Sequence, residues 1–209
     1  MDFVPFPKLS RLSREMVVTE KLDGTNAQIY IEHKDAVMGV VSKELVLGFA
    51  NDHYLFAGSR TQWLSKEKDN FGFANWAAAN AEELFKLGPG QHFGEWWGAG
   101  IQRTYDLKEK RFSLFNTTRW ITPYLALLAG HDVKAFPKCC SVVPELYRGV
   151  FDTQKVDDIL AFLERNGSVA SKGFMQPEGV VVFHMASNEM FKKTLDKNDT
   201  HKGVVNGPQ

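Results

Sequence analysis

The sequence predicts an α+β fold built from mainly antiparallel sheets. Three observations carry the prediction. Strand-like and helix-like runs alternate without the regular βαβ rhythm that a parallel sheet demands. Strand-like runs recur at residues 16–20, 26–32, 91–97, 112–116, 179–184 and 190–195. Two other segments carry helix punctuation: residues 73–87, alanine-rich and stopped by Gly88-Pro89, and the stretch between Asp152 and Gly167.

The elements follow in order. Pro5, Pro7 and the basic Arg11-Leu12-Ser13-Arg14 form an arm before the first strand, residues 16–20. Lys21-Leu22-Asp23-Gly24 then separates two β-prone runs. Asp-Gly in that setting signals a hairpin, with glycine taking the positive φ of the turn and residues 26–32 as the partner strand. Residues 37–41 read as a further strand. Residues 51–59, rich in turn formers and aromatics, read as a loop leading to Ser59-Arg60. The apolar run 121–128 is a core helix or a partner surface, burial being the commoner fate of such a run. Asp152 caps a helix whose Val156, Ile159, Leu160 and Leu163 share one face. The final strands precede a polar tail, 196–209, expected to fray. One domain, 1–195, plus that tail is the expected organisation.

Composition narrows the function classes. With 209 residues, 44% hydrophobic and 12% aromatic, the chain can bury a substantial core. Lys+Arg and Asp+Glu both number 25, so a polyanion would have to be held by local patches rather than by a global field. Cys139 and Cys140 are adjacent and could form a disulfide only with strain. Without a signal-like start or an apolar run of membrane length, a reduced cytoplasmic protein with no membrane partner is expected. The six histidines lack metal-ligand spacing, and His92 and His184 read as structural residues within strands.

The chemistry-bearing residues form an ordered set. Lys21 stands at the mouth of a tight turn, where rigid backbone can aim its amine at one point. A partly desolvated lysine beside other cations can shed its proton near neutrality and act as a nucleophile. Arg60 offers a planar fork for a ribose hydroxyl or a phosphate. Gly94-Glu95 places a carboxylate for sugar hydroxyls or a metal. Lys110-Arg111-Phe112-Ser113-Leu114-Phe115-Asn116 offers an aromatic ring, Phe112 or Phe115, to stack on a base, the other belonging to the core. Glu178 opens the apolar run Gly179-Val180-Val181-Val182-Phe183, a costly place for a carboxylate unless it meets a metal or a cation. Lys192 and Lys193 must face opposite sides of a regular strand, so one can address a phosphate.

In that order these motifs resemble the covalent nucleotidyltransferase superfamily of ATP-dependent polynucleotide ligases and mRNA capping enzymes. The matching segments are Lys21-Leu22-Asp23-Gly24, Gly94-Glu95, Arg111 to Asn116, Glu178-Gly179 and Phe191-Lys192, and they span residues 16–195. Asn26 makes the chain look most like an ATP-dependent RNA ligase. The resemblance implies two mainly antiparallel sheets with flanking helices enclosing a nucleotide pocket, an ATP-grasp-like nucleotidyltransferase fold.

It also implies that Lys21, Asp23 and Lys192 are catalytic, Lys21 carrying AMP and Lys192 contacting the α-phosphate. Glu20, Gly24, Asn26, Arg60, Glu95, Phe115, Glu178, Lys192 and Lys193 would bind the nucleotide. Arg60 and Glu95 would address the ribose, Phe115 the adenine, Asn26 groups near the phosphate and Glu20 the adenine edge, mainly through its backbone. Glu178 would bind the metal, magnesium or manganese. ATP and a nicked or broken RNA, or an RNA–DNA hybrid, would be the substrates. Two departures stand out: Asn116 replaces the usual aspartate, and Thr194 replaces the second lysine of the last motif. A minimal DNA ligase and a nucleotide- or nucleic-acid-binding protein using Lys108, Lys110, Arg111 and Arg119 are the alternatives. Only 14 residues follow Leu195, so no OB-fold domain is expected, which also counts against a capping enzyme.

Overall fold

A computed structural model describes residues 2–37, 39 and 41–196. The first elements are β1 (Glu15–Lys21), β2 (Thr25–His33), α1 (Lys34–Val37), β3 (Gly48–Ala50), β4 (His53–Ser59) and β5 (Trp63–Leu64). Then come α2 (Phe73–Ala79), α3 (Ala81–Leu84), β6 (Gly90–Gly98), β7 (Lys110–Leu114), α4 (Thr117–Leu128) and β8 (Cys140–Val142). Strand β9 (Glu145–Val150), α5 (Thr153–Asn166), β10 (Gly179–His184) and β11 (Glu189–Thr194) complete the described chain. It divides into two compact units: residues 2–21 with 144–196, and Leu22–Val143.

The first unit holds a four-stranded antiparallel sheet in the order β11-β10-β1-β9. One face carries Met16, Val18, Val180 and Val182, which pack against Val156, Leu160 and Leu163 of α5. Full burial of such a side chain stabilises by about 1.5–3 kcal/mol. The helix starts where the sequence predicts, with the Asp152 carboxylate accepting from the Gln154 N–H at 2.8 Å, and it stops at Gly167. Alternation along the strands sends Thr19, Lys21, Val181 and Lys192 to the opposite face. That face carries Lys21 and Lys192, two of the candidate site residues.

The second unit holds the larger sheet, β3-β4-β2-β6-β7-β8, with β5 also paired to β4. All its pairings are antiparallel except β7 with β8. Ala27, Ile29, Ile31, Leu55, Ala57, Trp96, Phe112 and Leu114 face a core completed by Phe73, Ala74, Ala77, Leu84 and Trp120 from α2, α3 and α4. His92 and His184 are structural as expected: His92 Nε2 lies 2.9 Å from the Gly88 carbonyl, and His184 bridges Ser187 Oγ and the Leu12 carbonyl.

Four local expectations need correction. The strands flanking Asp23-Gly24 are not hairpin partners: β1 pairs with β9 and β10, whereas β2 pairs with β4 and β6. Residues 51–59 are not a loop. Asn51 and Asp52, with φ of 49° and 61°, make the two-residue turn of a β3–β4 hairpin, and the remainder is strand. Residues 37–41 do not open a strand, because Val37 ends α1; Met38 and Val40 lie outside the described residues. Residues 115–116 fall beyond β7, since Asn116 turns the chain by capping α4 through the Arg119 N–H at 3.1 Å.

In helix α4, Ile121, Tyr124 and Leu127 pack partly buried against the core while Leu125 and Leu128 are exposed, so the run 121–128 is neither wholly core nor wholly surface. Most of the predicted tail, 197–209, lies outside the described residues.

Candidate active site

Lys21 ends β1, directly opposite Gly179 of β10. Its ammonium donates to Glu178 Oε2 at 2.7 Å, with both side chains about three-quarters or more shielded from solvent. Its partner is thus a carboxylate. Glu178 is the costly carboxylate predicted at the head of an apolar strand, and Lys21 is the cation that compensates it. Gly179 makes the junction possible. Its φ is 147°, and a Cβ there would stand 2.2 Å from the Lys193 carbonyl oxygen.

Lys192 lies across from Val181, on the face that carries Lys21. Lys193 lies across from Val180, whose side chain is in the α5 core, and its ammonium pairs with Asp157 of α5. Lys193 therefore does not join Lys21 and Lys192, which corrects its inclusion among the nucleotide-binding residues. The strand period of two is the reason.

The Glu20 side chain also points to the α5 side. Its Oε1 accepts from Ser168 Oγ at 2.6 Å, and its Oε2 accepts from the Val169 and Ala170 N–H groups at 2.9 Å each. Burial pushes the Glu20 carboxyl up, and its hydrogen bonds from Ser168, Ala170 and Val169 pull it only partly back. The folded chain thus holds that proton more tightly than the unfolded chain. Stability from this group should rise as pH falls from the raised value towards the ordinary 4.5, with nothing more gained below it. Glu20→Gln removes the titration. Denaturant unfolding across that window should show wild type gaining on Glu20→Gln with acidification; a constant difference would contradict the assignment.

In the second unit the Asp23-Gly24 turn is held from three directions. Arg103 Nε donates to Asp23 Oδ2 at 2.8 Å, and the Asp23 N–H donates to the Tyr105 hydroxyl at 2.8 Å. Glu95 Oε1 accepts from the Gly24 N–H at 3.2 Å and its Oε2 from Asn26 Nδ2 at 3.1 Å. Asp23, grouped with the catalytic residues in the sequence reading, here anchors backbone. Gly24 does not have positive φ; a Cβ would stand 2.4 Å from the Trp96 carbonyl oxygen and 2.8 Å from Trp97 Cβ. Close approach, rather than turn geometry, demands glycine. Gly24→Ala should therefore cost about 1–3 kcal/mol, read from the urea midpoint. A shift within about 0.5 kcal/mol, the range of ordinary surface substitutions, would refute the packing argument.

Arg60 follows Ser59, the partner of Ala27, and so leaves the ladder on the Asn26 side, exposed to solvent. Of the two candidate rings, Phe112 is 0% exposed in the core and Phe115 is 39% exposed. Phe115 extends the β6–β7 ladder by donating its N–H to the Phe93 carbonyl at 3.0 Å.

Arg103 and Tyr105 escaped the sequence reading. Gln102, Thr104, Tyr105 and Asp106 all have positive φ without being glycine, a conformation with no sequence signature there. Tyr105 is fully buried against Trp97, with ring centroids 4.9 Å apart, so packing over-determines that strained backbone. A cavity of about 460 Å³ in the first unit is lined by Leu12, Tyr147, Val150, Phe151, Asp152 and Thr153, none of which was predicted to act.

Comparison with known proteins follows the same lines. The sequence model of the RNA ligase family matches residues 14–195. A lysine-to-alanine mutant of Naegleria gruberi RNA ligase, with ATP and Mn, matches with a TM-score of 0.54 at 18% identity. A glutamate-to-alanine mutant of the same enzyme, with AMP and Mn, matches with a TM-score of 0.56 at 19% identity. Each match covers 88% of this chain and 50% of the Naegleria chain, so this chain spans about half the length of those proteins. Likeness at such identity is likeness of fold. No curated protein sequence matches significantly. The family match over most of its length settles the affiliation: the chain belongs to the RNA ligase family.

Proposed function

We propose that this chain carries out ATP-dependent joining of RNA ends through a lysyl-AMP intermediate at Lys21. The observation that carries the reading is the Lys21–Glu178 contact at 2.7 Å, on the sheet face that also bears Lys192. Lys21 Nζ would attack the α-phosphorus of ATP, forming an N–P bond as the P–O bond to pyrophosphate breaks. Glu178, already in contact with Nζ, is the nearest base for the amine proton. AMP would then move from Lys21 to the 5′-phosphate of an RNA strand, exchanging the N–P bond for a P–O–P linkage. Attack by a 3′-hydroxyl on that 5′-phosphorus would expel AMP and seal the strand.

In the same reading Lys192 offsets charge on the α-phosphate. Arg60 and Glu95 address the ribose, Asn26 the groups near the phosphate, and Phe115 the adenine ring. Glu20 serves through its backbone, since its carboxylate is bound to Ser168, Val169 and Ala170.

Among the described residues no group of three or more His, Cys, Asp or Glu could cage a metal ion. One carboxylate plus substrate phosphates is the usual donor set for magnesium, and Glu178 fits that part. When bound, magnesium or manganese supplies charge neutralisation at the phosphates.

The test is incubation with ATP or GTP labelled at the α-phosphate, followed by denaturation. Protein-bound label from ATP is expected. Label from GTP alone would redirect the reading to capping chemistry, and label from neither would leave a binding protein. Nicked substrates that differ only in RNA or DNA at the 3′-hydroxyl side should seal when that side is RNA.

A further inference from the structure

The larger sheet has a second face, away from its core, and that face is aromatic. Residues paired across an antiparallel ladder project to the same side. Phe115, just past β7, therefore forms one row with Phe93, Gln28, Gly58 and Trp63 of β6, β2, β4 and β5. The adjoining row on one side holds Ser113, Glu95 and Asn26, with Arg60 at its end. The row on the other side holds Gln91, Tyr30 and Phe56.

Trp63 and Phe93 are 40% and 52% exposed. The Trp63 ring stacks on Tyr30 with centroids 5.7 Å apart and planes at 26°, which fixes it in place. Three strand spacings separate Phe93 from Trp63, about 14 Å, so the two rings present separate platforms. Between them lies Gln28, whose buried Oε1 has no hydrogen-bond partner.

We propose that this row is a stacking platform for nucleobases of the RNA strand, with Phe93 and Trp63 as the stacking rings. Every base has a π-face, so exposed rings spaced along a track bind single strands with little sequence preference. The row begins at Phe115 and flanks Asn26, Glu95 and Arg60, so a strand on it would run continuously into the candidate nucleotide site. The proposal rests on the ligase reading only in naming RNA as the polymer.

The test uses the full chain and a short fluorescein-labelled single-stranded RNA with a 5′-phosphate, read by anisotropy. Trp63→Leu and Phe93→Leu keep apolar bulk and remove the ring; each should weaken binding about tenfold. Trp63→Phe and Phe93→Tyr should restore most of that loss. Label transfer from ATP to protein should be unchanged in all four. Unchanged RNA affinity in both leucine variants would overturn the platform, as would equal losses in leucine and aromatic variants. A parallel loss of ATP labelling would assign the rings to the nucleotide pocket instead and also overturn it. Trp63→Leu alone could unfold the β4–β5 edge, and Phe93→Leu on the neighbouring ladder then decides. Failure of wild type to label with ATP would sink the ligase reading, while the binding comparison would still judge the platform.

Discussion

Replacing Lys21 with alanine should reduce protein-bound label from ATP to background, the largest effect expected of any single change here. The argument is chemical. An N–P bond needs an amine, and the proposal places that amine at the end of β1, where pairing to β10 fixes its backbone opposite Gly179. Alanine also removes the cation that compensates Glu178, so a stability loss could mimic a catalytic one. Lys21→Arg separates the two. A guanidinium can keep an ion pair to Glu178, yet it stays protonated and is no nucleophile at neutral pH. Both variants should fail to label, while only Lys21→Ala should show a clearly lowered unfolding midpoint. Label that persists in Lys21→Arg would move the nucleophile elsewhere in the chain.

The sequence made some of this visible and hid the rest, and the division has a physical basis. Helix α5 was legible because its cap, its apolar face and its terminal glycine are local signals, and burial against β1 and β10 agrees with all three. The ordered motifs were legible because each is a short string.

Strand partnership was not legible. Asp23-Gly24 carries hairpin chemistry, but β1 pairs with β9 and β10, and β2 with β4 and β6. A hairpin turns at Asn51-Asp52, where turn formers were read as the start of a loop. The demand for glycine at position 24 comes from Trp96 and Trp97, more than seventy residues away. Nor could a string reveal that Arg103 and Tyr105 hold Asp23, since that loop reaches its shape through non-glycine residues in left-handed conformation. Tertiary packing chose in each of these cases.

Glu178→Gln should lower the rate of lysyl-AMP formation by about 10²–10⁴-fold, the range for losing a positioned proton acceptor. Glutamine nearly preserves shape and can still accept from Lys21, so folding should hold, and the loss should lie in chemistry. Two roles for Glu178 then give different signatures. As acceptor of the Lys21 proton alone, its loss lowers the maximal rate without changing the magnesium concentration that gives half of it. As a metal carboxylate, its loss raises that concentration, and excess magnesium recovers part of the rate. The motif resemblance favours the metal role, whereas the 2.7 Å contact to Lys21 favours the proton role. A magnesium titration of wild type and Glu178→Gln, followed by label transfer from ATP, distinguishes them. A variant that labels at the wild-type rate at every magnesium concentration would remove Glu178 from the reaction, leaving its contact with Lys21 a structural ion pair.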